Sequence, residues 1–507
     1  MKTLAAWMLM CLSQLWPPVH GSPPDPTPIF NAQWQLPSSA LGRKPDAREV
    51  LRRASKAMGG DGLKTLRYTA KGTGILMGQS FEAGKPGPKI RFEAYTRLLD
   101  FENEAMREDQ SRSRLESVGG GTLPALSASA QRSTGYVMRS EAWNMLGPIP
   151  VPAPFAAEER MHDLWTTPHG VLRAAMRNDV VLATRQQGDA ITTTLSFAEP
   201  GRFTATVFLN AAYLVQQIDF RMSHPVLGDT DVVTRFSGYK AVAGVQFPAR
   251  IVQTQRGMTV LDLEVGEVQP NVAQAIELPA LVRGATDRVV PEQLADGVWL
   301  LAGGAHHSVL IEMKDHLILV ECPLSEGRAK ALFAEARRLV PGKNITQVIS
   351  THHHFDTAGG LRLAAAQGAT LITSDWARPY LERTLGNPNG IGMDELAMSD
   401  KKPVFSSVKD RRVLSDGQRS VEVHEIAGNP HAKGMLMVVL PAEKLLIETD
   451  AYTPGPRGAL PPVKPLESHV NLAKNIERLK LDIERIVPLH GRVVPLNELY
   501  LAIGRKP

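Results

Sequence analysis

Cysteine is nearly absent from this chain, since only Cys11 and Cys322 occur among 507 residues. Cys11 lies in a predicted signal peptide, so one cysteine would remain after cleavage and no intramolecular disulfide could form. Cys322 follows the apolar run Leu317–Val320. We predict it to be a small buried residue rather than a metal ligand or a nucleophile. The stability of the fold must therefore come from its apolar cores.

An excess of one sign of charge is also lacking. Lys and Arg number 57 and Asp and Glu number 52, which gives a formal net charge of +5. No concentrated basic tract with interleaved aromatic residues occurs, and this argues against a nucleic-acid partner. Apolar residues make up 43% of the chain, as in ordinary globular proteins. The length is enough for two or three domains.

The longest apolar segment at the start of the chain is too short to cross a membrane as a mature helix. Lys2 supplies a basic start, residues 4–12 are apolar, and Val19-His20-Gly21 supplies small residues at a cleavage point. This pattern predicts a signal peptide over residues 1–21 and an exported protein, periplasmic or secreted, with no integral membrane segment after cleavage. An uncleaved anchor is the alternative, because apolar character continues weakly through Leu15-Trp16.

Three further segments follow the predicted signal peptide. Residues 22–44 are rich in proline and are predicted to form an extended leader. Residues 45–280 are predicted to be a mostly antiparallel β domain that begins with a helix over Asp46–Met58. Alternating runs such as Phe203–Leu209, joined by turn sequences, indicate its strands. Residues 281–507 alternate between strand and helix patterns and are predicted to form a second, α/β domain.

The β domain is similar in outline to the half-barrel of periplasmic lipoprotein carriers, by pattern and without a shared motif. That similarity implies a site for an apolar ligand in the N-terminal domain. The segment between about Leu99 and Arg177 is less regular. We predict loops at Gly119–Gly121 and Pro148–Pro154 and a short helix at Val171–Met176.

Histidine and aspartate cluster in the stretch Thr351–Gly360, directly after a predicted strand at Ile345–Ser350. Imidazole and carboxylate groups are costly to bury unless something binds them, and metal ligation is the obvious compensation. Side chains at alternate positions of a turned or extended segment share a side. His352, His354 and Asp356 are therefore predicted to converge as metal ligands.

The sequence Thr-His-x-His-x-Asp-x-x-Gly-Gly resembles the signature of the metallo-β-lactamase fold superfamily, which usually reads His-x-His-x-Asp-His. This resemblance implies an αβ/βα four-layer sandwich for the C-terminal domain. It also implies further ligands downstream, which match His431, Asp450 and His490 in the expected order. The implied ligand set is His352, His354, Asp356, His431, Asp450 and His490.

One position departs from the family pattern. Thr357 stands where the family has a histidine after the aspartate, and a threonine hydroxyl is a poor ligand for zinc. The second site would then keep Asp356, Asp450 and His490 and bind its ion more weakly. His353 is a conceivable substitute, but the alternation of side chains places it on the other side.

Two histidines upstream of the motif, His306 and His307, precede a predicted strand. Such residues can line a pocket, but surface positions or hydrogen-bonded core positions are more common for histidine. We favour that second interpretation. Another segment of interest, Ala377–Ser415, is longer than a routine connection. It is expected either to cover the mouth of the site or to be a surface insertion.

The resemblance implies a hydrolase. Zinc held by His352, His354 and His431 would keep one coordination position open and lower the pKa of water there toward ~7. Asp356 and Asp450 are the predicted catalytic residues, which would orient that water or hold a second ion. The expected substrate is a small molecule with an ester, thioester, lactone or phosphoester-type bond.

Two alternatives stay open. The same fold can carry iron and perform oxidoreductase or dioxygenase chemistry, and Thr357 leaves both the metal and the number of ions undecided. Alternatively, the N-terminal domain binds a lipid or another apolar ligand, and the C-terminal domain is a degenerate metal domain. Thr357 is the feature that favours this view, and retention of the other ligands speaks against it.

Overall fold

The computed structural model describes residues 46–116, 120, 130–187, 190–458 and 463–505. The predicted signal peptide and leader lie outside the described residues, as do Gly119 and Gly121 of the predicted glycine loop. The chain from Asp46 onward packs as one compact unit. The predicted domain boundary at residue 280 stays a prediction.

The N-terminal part is built on one large antiparallel sheet. Among the described residues it contains thirteen strands. The sheet strands are β1 (Thr65–Ile75), β2 (Lys89–Asp100), β3 (Ala105–Arg114), β4 (Gln131–Met138), β5 (Glu141–Leu146), β6 (Ile149–Pro152), β7 (Val181–Gln187), β8 (Ala190–Glu199), β9 (Phe203–Leu209), β10 (Val215–His224), β11 (Gly228–Ser237), β14 (Arg250–Gln255) and β15 (Met258–Pro270). Their order across the sheet is β6-β5-β4-β3-β2-β1-β15-β14-β11-β10-β9-β8-β7. A separate small hairpin consists of β12 (Lys240–Val242) and β13 (Val245–Phe247).

Three helices pack on this sheet: α1 (Ala47–Ala57), α2 (Ala157–Trp165) and α3 (Pro168–Arg177). The helix predicted over Asp46–Met58 is therefore confirmed, with the Asp46 side chain capping its first turn. Leu51 of α1, Trp165 of α2 and Leu172 of α3 are buried in one core with apolar side chains of the sheet. That shared core holds the helices to the sheet.

The segment between Leu99 and Arg177 is more regular than its sequence indicates. It contains β3 to β6, and β6 lies inside the predicted loop Pro148–Pro154. Most of β3 is polar, so it lacks the apolar alternation that identifies a strand. The strand β6 is the edge of the sheet, where proline is tolerated because no neighbour needs its N–H. The helix predicted at Val171–Met176 is longer than expected and begins at Pro168.

The C-terminal part contains two mixed sheets. The first is β16 (Val290–Ala295), β17 (Val298–Ala302), β18 (Ser308–Glu312), β19 (Leu317–Val320), β20 (Ile345–Ile349), β21 (Thr370–Ser374) and β22 (Val404–Val408). The second is β23 (Arg411–Ser415), β24 (Ser420–Glu425), β25 (Leu436–Leu440), β26 (Leu445–Glu448), β27 (Arg485–Pro488) and β28 (Val494–Pro495). The helices are α4 (Glu326–Leu339), α5 (Phe355–Ala358), α6 (Leu361–Ala366), α7 (Arg378–Leu385), α8 (Glu467–Arg478) and α9 (Leu496–Ala502).

These elements form the four-layer sandwich that was predicted. Residues alternate along β18, so that Leu310 packs with helices α4, α6 and α7, while Val309 and Ile311 face the second sheet. On the far side of the second sheet, Leu446 packs against α8 and α9. The order of layers is helices, sheet, sheet, helices.

The segment Ala377–Ser415 is not a bare loop, since it contains α7, β22 and β23. Its turn contacts the N-terminal part, where both carboxylate oxygens of Asp229 accept hydrogen bonds from the backbone N–H groups of Gly390 and Ile391, each at 3.1 Å. The amide of Asn387 donates to the carbonyl oxygen of Leu227. This turn therefore fastens the α/β sandwich to the large sheet. No helix among the described residues is long and apolar enough to span a membrane.

Candidate metal centre

The candidate ligands meet at one edge of the sandwich. His352 and His354 follow the carboxyl end of β20, and Asp450 and His490 follow β26 and β27. His431 lies in the loop between β24 and β25. Because β26 and β27 are parallel neighbours, Asp450 and His490 lie at the same edge of the second sheet. The packing of the two sheets brings this edge beside the end of β20, so that His352 lies 3.5 Å from Asp450.

Three imidazoles form the first group. Nδ1 of His354 lies 3.0 Å from Nε2 of His352 and 3.0 Å from Nε2 of His431. Three nitrogens of a tetrahedral zinc site, each about 2.0–2.1 Å from the ion, lie roughly 3.3 Å apart. The observed spacing is close to that value, so the group fits a tetrahedral ion such as zinc.

Hydrogen bonds orient two of these rings. Nε2–H of His354 donates to the carbonyl oxygen of Ser80 at 2.8 Å, which leaves Nδ1 with a lone pair toward the group. Oγ1 of Thr351 lies 3.0 Å from Nδ1 of His352, on the side of the ring away from the other imidazoles. Burial, reinforced by the neighbouring imidazoles, holds the pKa of His352 and His431 well below its usual value. Neutral imidazole is the form that binds metals.

A second group contains His306, Asp356 and His490, whose ligand atoms lie within 4.8 Å of one another. Oδ2 of Asp356 is 3.4 Å from Nε2 of His306 and 3.9 Å from Nε2 of His490. Nδ1–H of His490 donates to the carbonyl oxygen of Ala305 at 2.7 Å. Its Nε2 is buried and has no hydrogen-bond partner among the described residues. An unpaired lone pair of this kind fits a metal ligand, because a buried acceptor is otherwise costly.

Asp450 lies between the two groups. Its Oδ2 is 3.5 Å from Nε2 of both His352 and His431, and its Oδ1 is 3.6 Å from Nε2 of His490. Asp450 has a φ of 64°, a left-handed conformation that is uncommon for a residue with a side chain. Glu448 supports this turn, because its Oε2 accepts hydrogen bonds from the N–H groups of the two residues after Asp450. Burial raises the pKa of Asp450 to about 7 in the absence of a cation.

Asp356 differs from Asp450 in its surroundings. Burial alone would raise its pKa, but its hydrogen bond to His306 and the nearby imidazoles outweigh burial, and its pKa is well below the usual value.

Beneath the motif, Oε1 of Glu321 accepts a hydrogen bond from the N–H of Thr351 at 2.7 Å. Burial raises the pKa of Glu321 to about 8.

A loop of the N-terminal part, Gly78–Glu82, lies directly on the motif. Nε2–H of Gln79 donates to Oδ1 of Asp356 at 2.7 Å, and the N–H of Phe355 donates to the carbonyl oxygen of Gly78 at 3.3 Å. A Cβ on Gly78, whose φ is +75°, would lie 2.2 Å from the Phe355 ring. Glycine is therefore required there for both backbone angle and space. The candidate metal centre is thus built by both parts of the chain.

The structure brings all six predicted ligands to one place, and their role as ligands stays a prediction. Thr357 belongs to neither group, because its Oγ1 donates to the carbonyl oxygen of His354 at 3.0 Å. His353 also lies outside both groups, as expected, and its Nε2–H donates to Ser80. Cys322 is buried, as predicted.

His306 is the residue that sequence reasoning missed. Its sequence context favours a surface position or a hydrogen-bonded core position, but the structure places its ring beside His490, with ring centroids 4.4 Å apart. Its sequence signal is weak, because His306 and the adjacent His307 precede β18 without a spacing that links them to the motif. The contribution of Gln79 and Ser80 also carried no sequence signal.

The comparison with known protein families agrees with this geometry. The metallo-beta-lactamase superfamily matches residues 301–490. Residues 301–490 are therefore a metallo-beta-lactamase superfamily domain.

Solved structures similar to this chain include three metallo-beta-lactamases. The enzyme from Pontibacter korlensis is 16% identical over 43% of this chain and 98% of its own, with a TM-score of 0.34. FIM-1 from Pseudomonas aeruginosa, in its mono-zinc form, is 15% identical over 43% of this chain and 96% of its own, with a TM-score of 0.33. The protein from Hirschia baltica is 18% identical over 43% of this chain and 99% of its own, with a TM-score of 0.33.

Proposed function

We propose that this protein is a metal-dependent hydrolase that uses zinc. The observation that carries the proposal is the group of three neutral imidazoles, His352, His354 and His431, with ring nitrogens 3.0 Å apart around His354. Uncharged imidazole nitrogens at this spacing can present their lone pairs to one cation. Zinc bound there supplies a Lewis acid that ionises water near neutral pH.

The side chains around the ligands have separate roles in this proposal. Asp450 faces both groups, so its carboxylate orients the attacking water by accepting a hydrogen bond. Asp356 is held on one oxygen by Gln79 and presents the other to the second group. Ser80 keeps His354 in the tautomer that ligates through Nδ1.

The substrate is proposed to be a small molecule with an ester, thioester, lactone or phosphoester-type bond. Each of these has an electrophilic carbonyl or phosphoryl centre that a polarised water can attack. The basic, apolar N-terminal sequence supports export, so we place the enzyme in the periplasm or outside the cell. A fusion of residues 1–44 to a reporter that is active only after export tests this placement, and retention of the reporter in the cytoplasm would count against it.

The test of the hydrolase proposal combines metal content with activity. Purified protein should contain zinc, and His354→Ala should lose the first ion. It should also lower kcat/KM for the best substrate of an ester, thioester, lactone and phosphodiester panel by more than about 100-fold, the upper range for losing an outer-shell partner. His316→Ala is the matched control, because His316 lies outside both metal groups and pairs with Asp315 on a turn. A wild-type protein that binds no transition metal, with unchanged hydrolysis in His354→Ala, would refute the proposal.

Iron is a second candidate for the metal. Two histidines and one carboxylate form the second group, and this donor set is also used by non-haem iron in oxygenases. An oxidoreductase or dioxygenase function would follow if iron were the resident ion. Metal analysis of protein purified in air distinguishes the two, because the hydrolase proposal expects zinc in stoichiometric amount.

Binding of an apolar ligand is a second candidate function, favoured by one cavity in the N-terminal part. It has a volume of about 280 Å³, and Met161, Phe203 and Met222 line it. His162 and Trp165 also line this cavity, and Nε2 of His162 and Nε1 of Trp165 have no hydrogen-bond partner among the described residues. Such a lining suits an apolar chain that ends in a hydrogen-bonding group.

A fluorescent fatty acid tests the cavity. The wild type should bind the probe with saturation, and Ala157→Phe, which fills the cavity with a ring, should abolish binding. The metal content of that variant should be unchanged. Saturable binding that survives Ala157→Phe would place the ligand elsewhere.

A further inference from the structure

The turn between β17 and β18 brings His306 into the metal centre. Nε2 of His306 lies 3.4 Å from Oδ2 of Asp356, and its ring meets the His490 ring edge to face at 82°. The side chain of His306 is 18% exposed. It is therefore neither a surface histidine nor a core histidine among apolar residues.

One backbone hydrogen bond and one side-chain hydrogen bond fix the position of this turn. The N–H of His307 donates to the carbonyl oxygen of Leu489 at 2.9 Å, and Nδ1–H of His490 donates to that of Ala305 at 2.7 Å. These two bonds join the turn to the strand end that carries His490. The ring of His306 is thus placed by the same contacts that place a predicted ligand.

The buried guanidinium of Arg328 holds the turn from behind. Its Nη2 donates to the carbonyl oxygens of Leu301 at 3.2 Å and His306 at 3.5 Å. Arg328 is 1% exposed, which makes these bonds costly to break. These bonds preorganise the backbone of the turn that carries His306.

Asp356 is also prepared for a ligand on its second oxygen. Oδ1 accepts from Gln79 at 2.7 Å, while Oδ2 faces His306 and His490. The unpaired Nε2 of His490 completes a set of two imidazole nitrogens and one carboxylate oxygen. Divalent zinc and iron both accept this set.

We propose that His306 is a protein ligand of a second metal ion together with Asp356 and His490, in the role that the family pattern gives to a histidine at position 357. The hydroxyl of Thr357 is directed at its own loop and adds no ligand. The second group therefore has its second histidine in this chain, supplied by a turn that precedes the motif in the sequence. This inference rests on the proposed metal-dependent function.

A purely structural role for His306 would be a hydrogen bond to Asp356. Glutamine at this position keeps a side-chain N–H that can donate to that carboxylate, but an amide is a weak replacement for an imidazole ligand. His306→Gln therefore separates the two roles. His316→Ala is again the control, because it removes a histidine outside both groups.

The experiment titrates metal-free protein with zinc chloride in a calorimeter and counts retained zinc by elemental analysis. Wild type and His316→Ala should bind two ions per chain. His306→Ala and His306→Gln should keep the first ion and bind the second more weakly by at least about 10–100-fold, which is the range for losing even an outer-shell partner. Retention of the first ion shows that a variant is folded.

The outcomes distinguish this inference from the proposed function. Two ions of wild-type affinity in His306→Gln would overturn the ligand role, and so would a single ion in the wild type. In both cases the hydrolase proposal stands on the first group. A wild type that binds no zinc would remove the proposed function itself. If His306→Ala does not fold, His306→Gln alone decides the question.

Discussion

Replacing Gln79 tests whether the N-terminal part of the chain contributes to metal binding. Its Nε2–H donates to Oδ1 of Asp356 at 2.7 Å, and the loop that carries it comes from the large antiparallel sheet. Gln79→Ala removes this bond and leaves every proposed ligand residue in the sequence. The freed carboxylate can rotate, so that Oδ2 no longer stays directed at His306 and His490.

The magnitude follows from the type of bond. A hydrogen bond to an ionised group contributes about 1.5–3 kcal/mol, and removal of a partner that orients a metal ligand lowers metal affinity by about 10–100-fold. Because about 1.4 kcal/mol corresponds to a factor of ten, the two estimates agree. We expect the affinity for the second ion to fall by that factor and the affinity for the first to change little.

Zinc calorimetry on metal-free protein provides the assay, with Gln253→Ala as the matched control. Gln253 is also a buried glutamine of the large sheet whose amide donates to another side chain, Oγ1 of Thr234. Its loss should lower thermal stability without an effect on zinc binding. Unchanged affinity for both ions in Gln79→Ala would refute the idea that this loop positions Asp356.

Three further predictions test other parts of the structure. Burial lowers the pKa of His162 from 6.5 to about 3, so the folded state binds fewer protons than the unfolded state and loses stability as pH falls below 6.5. The wild type should therefore lose about 2 kcal/mol of unfolding free energy between pH 7 and pH 5 that His162→Phe does not lose, as measured by urea unfolding. A difference in unfolding free energy between the two proteins that is the same at both pH values would contradict this prediction. Arg328→Met should lower the free energy of unfolding by about 2–3 kcal/mol and weaken binding of the second zinc ion. A loss of stability with unchanged zinc binding would show that Arg328 does not hold the His306 turn. Asp229→Ala leaves the N–H groups of Gly390 and Ile391 without their partner and should lower the free energy of unfolding by about 1–3 kcal/mol. Proteolysis in that turn should become faster, and an unchanged rate of proteolysis would show that the contact is absent in solution.

The sequence located most of the metal centre because its residues follow an ordered pattern. His352, His354 and Asp356 stand in one short motif, and later histidines and an aspartate follow in a fixed order. His306 could not be found in this way, because it lies beside His490 in space but far from the motif in the sequence. The same holds for Gln79, whose type and neighbours are ordinary for a loop.

The fold was predictable where the burial of side chains alternates. Strands such as β9, with the pattern Phe203–Leu209, are buried on one face and exposed or partly exposed on the other, and their sequences show it. The strand β3 was missed because its polar residues are held by pairing with neighbours on both sides. Long-range pairing of this kind decides its structure, and local sequence does not report it.

The contact between the Gly78–Glu82 loop and the motif implies that the proposed metal binding is coupled to packing between the N-terminal and C-terminal parts of the chain. The carbonyl oxygen of Ser80 accepts from Nε2 of His354 and so selects the tautomer that ligates through Nδ1. The coupling is reciprocal: the free energy by which the docked loop strengthens metal binding equals the free energy by which a bound metal strengthens docking of the loop. Chelation should then loosen the loop as well as empty the site. Faster amide hydrogen exchange at Phe355, whose N–H donates to Gly78, on addition of a chelator would report that coupling, and exchange that is indifferent to metal would show that the two parts dock independently.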